Sequence, residues 1–262
     1  MKIAVIANGG KKDFIRNLPE MAEIHKTHKN DNVLLVCNPE NADLAGRTGY
    51  FNKIWAVHIP GRLNIISRFL TRQHLRSFNC ETFYNVSADN FFKIDADAAP
   101  QPRNADSSWI NGDLSFFQLP KKYAVIDLHN NGQTIAPRRM AALVQKISFS
   151  NISAVFIGGA AENDMAETAK KMAPNSRNLC GQLNEYDIGV LARDAQFWIG
   201  YNTASAYLAG FAGCKTLCLY GENETTDKND LPPGKNVVIF QGDLADLSVG
   251  EIYKVLTEHE FL

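Results

Sequence analysis

The chain lacks a charge bias, a long apolar run and a cysteine framework, and each absence narrows what it can be. Its 262 residues carry 27 basic and 28 acidic side chains, a formal net charge of −1. Broad nucleic-acid binding needs a basic face to neutralise phosphates, so no nucleic-acid partner is expected. The longest apolar stretches, residues 123–128 and 153–159, are too short to span a bilayer. The N-terminal run Met1-Lys2-Ile3-Ala4-Val5-Ile6 reads as a strand, not a signal peptide. The cysteines are Cys37, Cys80, Cys180, Cys214 and Cys218, with no Cys-x-x-Cys pair. An odd set without pairing spacing suits free thiols in a reducing cytoplasm. Cys214 and Cys218 flank and enter what reads as a strand, so no metal is expected there. Neither G-x-G-x-x-G, nor a Walker-type lysine motif, nor the nucleophile elbow G-x-S-x-G occurs.

What is present is ordinary globular composition, 45% hydrophobic and 21% charged. The length suits one large domain or two of about 100–150 residues. Short apolar runs alternate with amphipathic stretches. The spacing predicts strands over 3–7, 33–37, 53–58 and 80–86, with helices over 14–25, 41–46 and 63–75. Residues 97–120, with Pro100, Pro102, Gly112 and Pro120, have loop and linker chemistry. Regular alternation then resumes. Strands are predicted over 124–128, 154–157, 177–180, 197–200, 216–220 and 237–240. Helices are predicted over 137–147, 162–172, 185–192, 204–212 and 248–257. Two such blocks imply an α/β chain of two doubly wound parallel-sheet domains, divided at 118/119. Ligands of such sheets bind beyond the carboxyl ends of the strands, so the cleft between the domains is the expected site.

Four strand-to-helix turns carry candidate chemistry. In Gly200-Tyr201-Asn202-Thr203-Ala204-Ser205-Ala206-Tyr207, Asn202 or Thr203 can cap the helix. The small Ala204 and Ser205 leave its N–H groups open to a phosphate, or simply allow close packing. Gly158-Gly159-Ala160-Ala161-Glu162 allows close backbone approach, with Glu162 either bonding ribose or neutralising the helix dipole. Ala7-Asn8-Gly9-Gly10-Lys11-Lys12-Asp13 places Asp13 at a helix start, as a cap or as a general base. Asp127-Leu128-His129-Asn130-Asn131-Gly132-Gln133-Thr134, followed by Pro137-Arg138-Arg139, offers hydroxyl, amide, imidazole and guanidinium groups. Those arginines are candidates for a diphosphate. Arg62, Arg68, Arg72 and Arg76 lie on or beside one predicted helix, either as a solvated face or as a contact for an anionic acceptor or membrane surface.

In order and spacing, the second half resembles the donor-binding domain of glycosyltransferase family 9, the ADP-heptose:lipopolysaccharide heptosyltransferases. The likeness rests on residues 156–162, on Asn178-Leu179-Cys180-Gly181-Gln182-Leu183-Asn184-Glu185, on Leu191-Ala192-Arg193-Asp194-Ala195, on Gly200-Tyr201-Asn202-Thr203 and on Leu219-Tyr220-Gly221. The first half is similar to the family's start, where an aspartate precedes a T-L-P-like stretch, here Asp13 and Asn17-Leu18-Pro19. The resemblance implies a GT-B architecture, two Rossmann-like domains facing across a cleft, with the acceptor side in 1–118 and the nucleotide-sugar side in 119–262. It implies an inverting transfer without metal or cofactor. The donor would be a nucleotide sugar such as ADP-heptose and the acceptor a glycan or glycolipid such as lipopolysaccharide core. The setting would be the cytoplasm, at the inner face of the membrane. Asp13 falls on the family's proposed base. Asn130, Thr134, Arg138, Gly159, Glu162, Gln182, Leu183, Asn202, Thr203, Ala204, Ser205 and Tyr207 would contact the donor. The family usually reads D-[ST]-G-x-x-H where this chain has Asn202, Thr203, Ala204 and Tyr207, and usually carries a lysine in the loop occupied here by Gln133 and Thr134. These replacements leave open a catalytically altered nucleotide-sugar-binding protein of the same fold.

Overall fold

The computed structural model describes residues 1–58, 73–87, 106–129, 135–224, 231–234 and 236–262. Most of the helix expected over 63–75, with Arg62, Arg68 and Arg72, lies outside the described residues, as do Asn130, Gln133 and Thr134. No described helix is long and apolar enough to cross a membrane. The chain forms two compact units, Met1–Trp109 and Ile110–Leu262. The 118/119 division read from composition falls inside unit 2. There Arg193 donates to the Ile110 carbonyl at 2.6 Å, and Gly112 lies against Tyr186 and Val190.

Unit 1 carries β1 (Lys2–Ala7), β2 (Asn32–Cys37), β3 (Lys53–Ala56) and β4 (Thr82–Asn85) in the order β3-β2-β1-β4. All pairs are parallel. Ile3–Ala7 and Val33–Cys37 are buried along their whole length, as a parallel sheet covered on both faces requires. The single helix expected over 14–25 is two helices, α1 (Lys11–Arg16) and α2 (Leu18–Thr27), meeting at Asn17. Pro19 is the cause. It has no N–H to donate into a continuing ladder, but fits the first turn of a new helix, where that N–H would be unpaired anyway. Helix α3 (Ala42–Thr48) follows β2 through a short 3₁₀ turn.

Unit 2 carries β5 (Tyr123–Asp127), β6 (Ser153–Ile157), β7 (Arg177–Asn178), β8 (Phe197–Tyr201), β9 (Thr216–Gly221) and β10 (Val237–Gly242). Its sheet is parallel throughout, in the order β10-β9-β8-β5-β6-β7. The connecting helices are α4 (Pro137–Ser148), α5 (Asn163–Met172), α6 (Glu185–Asp194), α7 (Ala204–Phe211) and α8 (Val249–Glu258). From β5 the chain winds outward to β7, returns to lay β8 against the other side of β5, and winds outward again. The winding direction therefore reverses between β5 and β8, the point of a doubly wound sheet where a crevice opens for ligands. One face packs Ile126, Phe156, Ile199 and Leu219 against Leu143, Val144, Ile252 and Leu256. Each such side chain stabilises the unit by about 1.5–3 kcal/mol when fully buried. Strand β7 stops after two residues because the Asn178 side chain accepts the Cys180 N–H at 3.0 Å, turning the chain. Helix α8 starts at Ser248, whose hydroxyl accepts the Glu251 N–H at 3.2 Å while the Glu251 carboxylate accepts the Ser248 N–H at 2.9 Å.

Candidate active site

The reversal point of unit 2 is organised by one carboxylate. Asp127 ends β5 and is 0% exposed. Its Oδ1 accepts the His129 backbone N–H at 3.0 Å and lies 2.9 Å from His129 Nδ1. Its Oδ2 accepts the Thr203 hydroxyl at 3.1 Å. Asp127 thereby ties the end of β5 to the turn that follows β8. A buried charge costs several kcal/mol unless its oxygens are satisfied, and these three donors supply that satisfaction.

Room for this carboxylate comes from Gly200. A Cβ there would stand 2.7 Å from Asp127 Cβ and 2.8 Å from Trp198 Nε1, distances that side chains do not tolerate. Thr203 is the residue before α7 and has extended backbone. Its hydroxyl is spent on Asp127 and does not cap the helix, so the first turn at the part-buried Ala204 and Ser205 presents N–H groups with the positive end of the helix dipole. Tyr207, one turn on, is fully buried.

Across β6, the Glu162 carboxylate accepts the Gly159 N–H at 2.7 Å. The carboxylate is thus engaged with the backbone of its own turn. Gly158 gives the Glu162 Cβ and the Cys180 thiol their room, and its carbonyl accepts the Gly181 N–H at 2.8 Å. Gly181 has φ of +72°, a conformation that favours glycine. Gln182 is exposed and donates back to the Asn178 carbonyl at 3.2 Å, with Leu183 part-buried beside it.

His129 stands between these two groups. A Cβ on Gly159 would lie 3.9 Å from its Nε2, so the ring sits alongside the glycine turn. Its hydrogen bond to Asp127 raises its pKa above the ordinary 6.5 against the opposing effect of burial, and the charges of Asp127, Glu162 and Glu185 add to the rise. The two arginines at the start of α4 differ. Arg139 donates to the carbonyls of Ala245 and Leu247, holding the segment before α8, whereas Arg138 is exposed.

In unit 1, Asp13 lies on α1 with its side chain 47% exposed, and Arg16 Nη2 is 2.8 Å from its Oδ1. Gly9 gives the Asp13 side chain its room, since a Cβ there would stand 2.7 Å from Asp13 Cβ. The Gly9 carbonyl accepts from Asn38 and Asn41 at 2.9 and 3.1 Å, which fixes the turn after β1 to the exit of β2.

The structure thus brings Gly159 and Glu162 to the carboxyl end of β6, and Thr203, Ala204 and Ser205 to that of β8, the two strands that flank β5. It places Asp13 at the corresponding end of the unit 1 sheet. Asp127 and His129, named in the sequence only as part of the fourth turn, were given no role of their own there. Their signal was present: positions i and i+2 of extended chain project to one side.

No protein-family model matches the chain, and no curated protein matches it. Solved structures do. The glycosyltransferase family 9 protein of Veillonella parvula superposes with a TM-score of 0.75 over 98% of this chain and 96% of its own, at 11% identity. The Escherichia coli heptosyltransferase WaaC with ADP-2-deoxy-2-fluoro heptose gives 0.75 over 98% and 99%, at 12% identity. The E. coli ADP-heptose lipopolysaccharide heptosyltransferase II gives 0.70 over 99% and 98%, at 11% identity. At such identities the likeness is one of architecture: two parallel-sheet α/β units of the GT-B fold, as in the heptosyltransferases, spanning nearly the whole chain.

Proposed function

We propose that the chain is an inverting, metal-independent glycosyltransferase that moves a sugar from a nucleotide sugar to a glycan or glycolipid acceptor. The donor is ADP-heptose or a close relative, and the acceptor is of the lipopolysaccharide-core type, met at the cytoplasmic face of the membrane. One observation carries the reading: Asp127 ties His129 and Thr203 together where the unit 2 sheet reverses, in a chain with the fold of heptosyltransferases. Unit 2 is then the donor side and unit 1 the acceptor side.

In this reading Asp13 takes the proton of the acceptor hydroxyl. That oxygen forms a bond to the anomeric carbon. The bond from that carbon to the diphosphate oxygen breaks on the opposite side, and its electron pair leaves with the nucleoside diphosphate. The amides at Thr203–Ser205 meet the charge that builds there. Arg138 is exposed at the start of α4, a location suited to the outer phosphate. Asn202 and the Gln182–Leu183 backbone add to the donor contacts, as do Asn130 and Thr134, which lie outside the described residues. Tyr207 supports α7 from within the core.

A second reading, binding without transfer, is favoured by the ion pair between Asp13 and Arg16, which engages the proposed base. The test is incubation with ADP-heptose, with and without a lipopolysaccharide-core acceptor, followed by measurement of released ADP. Acceptor-dependent release supports transfer. Tight binding of ADP with no release under any donor supports the second reading. Failure to bind any nucleotide removes both.

A further inference from the structure

We propose that His129, seated on the buried carboxylate of Asp127, is a cationic group of unit 2, besides Arg138, that takes the phosphate oxygens of a nucleoside diphosphate. The inference rests on the donor-side reading above and adds to it a second group that neutralises the ligand.

A diphosphate brought to this point meets carboxylates. Asp127 lies on the same strand end, Glu162 on the turn after β6 and Glu185 at the start of α6, and all three act on the imidazole. The Cys180 thiol after β7 stays neutral, its pKa pushed up to about 12 by burial first and then by Glu162 and Asp127. Thr203, from the turn after β8, is neutral and donates to Asp127. Asp127 is engaged by its three donors, and Glu162 by the Gly159 N–H. Arg139 is occupied by the carbonyls before α8. His129 is the positively chargeable side chain set directly on the carboxylate that also orders the α7 entrance.

The geometry assigns the ring nitrogens. Nδ1 faces Asp127 at 2.9 Å, which leaves Nε2 as the second donor, beside the Gly159 turn, where a Cβ would stand 3.9 Å from Nε2 and 3.1 Å from Glu162 Oε2. The side chain is 39% exposed, accessible to a ligand while anchored at its other nitrogen. An imidazolium held in this way donates a charge-assisted bond to a phosphate oxygen without reorganising. Asp127 is then a positioning residue. It bonds His129 with one oxygen and Thr203 with the other, so the cation and the helix amides keep a fixed separation.

The experiment is calorimetric titration of the full chain with ADP, with inorganic pyrophosphate and with adenosine, between pH 5.5 and 9. In the wild type, ADP and pyrophosphate affinities are expected to fall as pH climbs through the His129 midpoint, which lies above 6.5. His129→Gln is expected to weaken ADP and pyrophosphate at pH 6 by about 10- to 100-fold and to flatten the pH dependence that remains after the ligand's own titration. Adenosine affinity is expected to stay within about twofold, since a neutral ligand gains nothing from the cation. Asp127→Asn is expected to move the falling limb to lower pH. Should that variant misfold, proton NMR of the wild-type His129 ring decides: ADP must raise the ring's midpoint, because binding and protonation are reciprocal. ADP or pyrophosphate binding equally tightly to His129→Gln at every pH, or an unmoved His129 midpoint, overturns the inference and leaves the donor-side reading standing. Wild type that binds neither ADP nor pyrophosphate overturns both.

Discussion

Asp127 Oδ1 and His129 Nδ1 lie 2.9 Å apart at the end of the strand beside which the winding of unit 2 reverses. The pair is local in sequence, yet its second oxygen reaches Thr203 across the reversal point. A bond between neighbours thus carries a tertiary link, and its removal tests both.

Stability should depend on this pair in a pH-dependent way. The folded-state pKa of His129 is raised above 6.5, first by its bond to Asp127. A raised histidine contributes stability that is fully present below the unfolded value and lost as pH rises through the folded one. Urea denaturation of Asp127→Ala should show a loss of about 1–3 kcal/mol from the unsatisfied partners, with a larger loss at pH 6 than at pH 9. An equal loss at both pH values would mean that the imidazole is not charged when it meets Asp127.

Gly200→Ala is expected to destabilise unit 2 by about 1–3 kcal/mol, because the added methyl overlaps both Asp127 Cβ and Trp198 Nε1. Nucleotide affinity should fall with it, since Asp127 cannot stay in place. The comparison is Gly49→Ala in unit 1, where nothing lies within 4 Å and only the positive φ of 69° opposes the change. That variant should lose stability without losing nucleotide.

The two arginines of α4 should separate. Arg139→Ala removes the donor to Ala245 and Leu247 and should lower stability by about 1–2 kcal/mol with nucleotide affinity unchanged. Arg138→Ala should leave the denaturation midpoint unmoved and weaken ADP. Denaturation and calorimetry on the two variants check this, and the reverse pattern would reassign their roles.

Asp13→Asn should lower the rate of glycosyl transfer by about 10²–10⁴-fold while leaving ADP affinity intact. The side chain is half exposed and its strong partner is Arg16, so stability should change by less than about 0.5 kcal/mol. Transfer at the wild-type rate would dismiss Asp13 as the base.

Much of this architecture was legible in the chain. The runs at Ile3–Ala7 and Val33–Cys37 read as buried strands because a parallel sheet covered on both faces needs continuous apolar residues. The helix at Pro137 was marked by its proline. Helical spacing across Phe14–His25 hid the break at Asn17, because α1 and α2 both bury residues along one periodicity while Pro19 starts a new ladder. In the candidate site, the glycine turns and the small-residue start of α7 were visible as local pattern. The division of labour between Arg138 and Arg139 was not, because it depends on carbonyls more than a hundred positions along the chain. Tyr207 looked available at a helix start, and only the packed core shows its ring enclosed. Asp127 and His129 were two residues apart in plain view, but what distinguishes the pair is Thr203, which the fold supplies.

The most direct measurement is a crystal structure with ADP bound. The diphosphate should lie at the carboxyl ends of β5 and β8, with phosphate oxygens within hydrogen-bond distance of His129 Nε2 and of the amides at Thr203–Ser205. ADP seated elsewhere on the chain, with His129 turned from it and the entrance to α7 empty, would contradict that assignment.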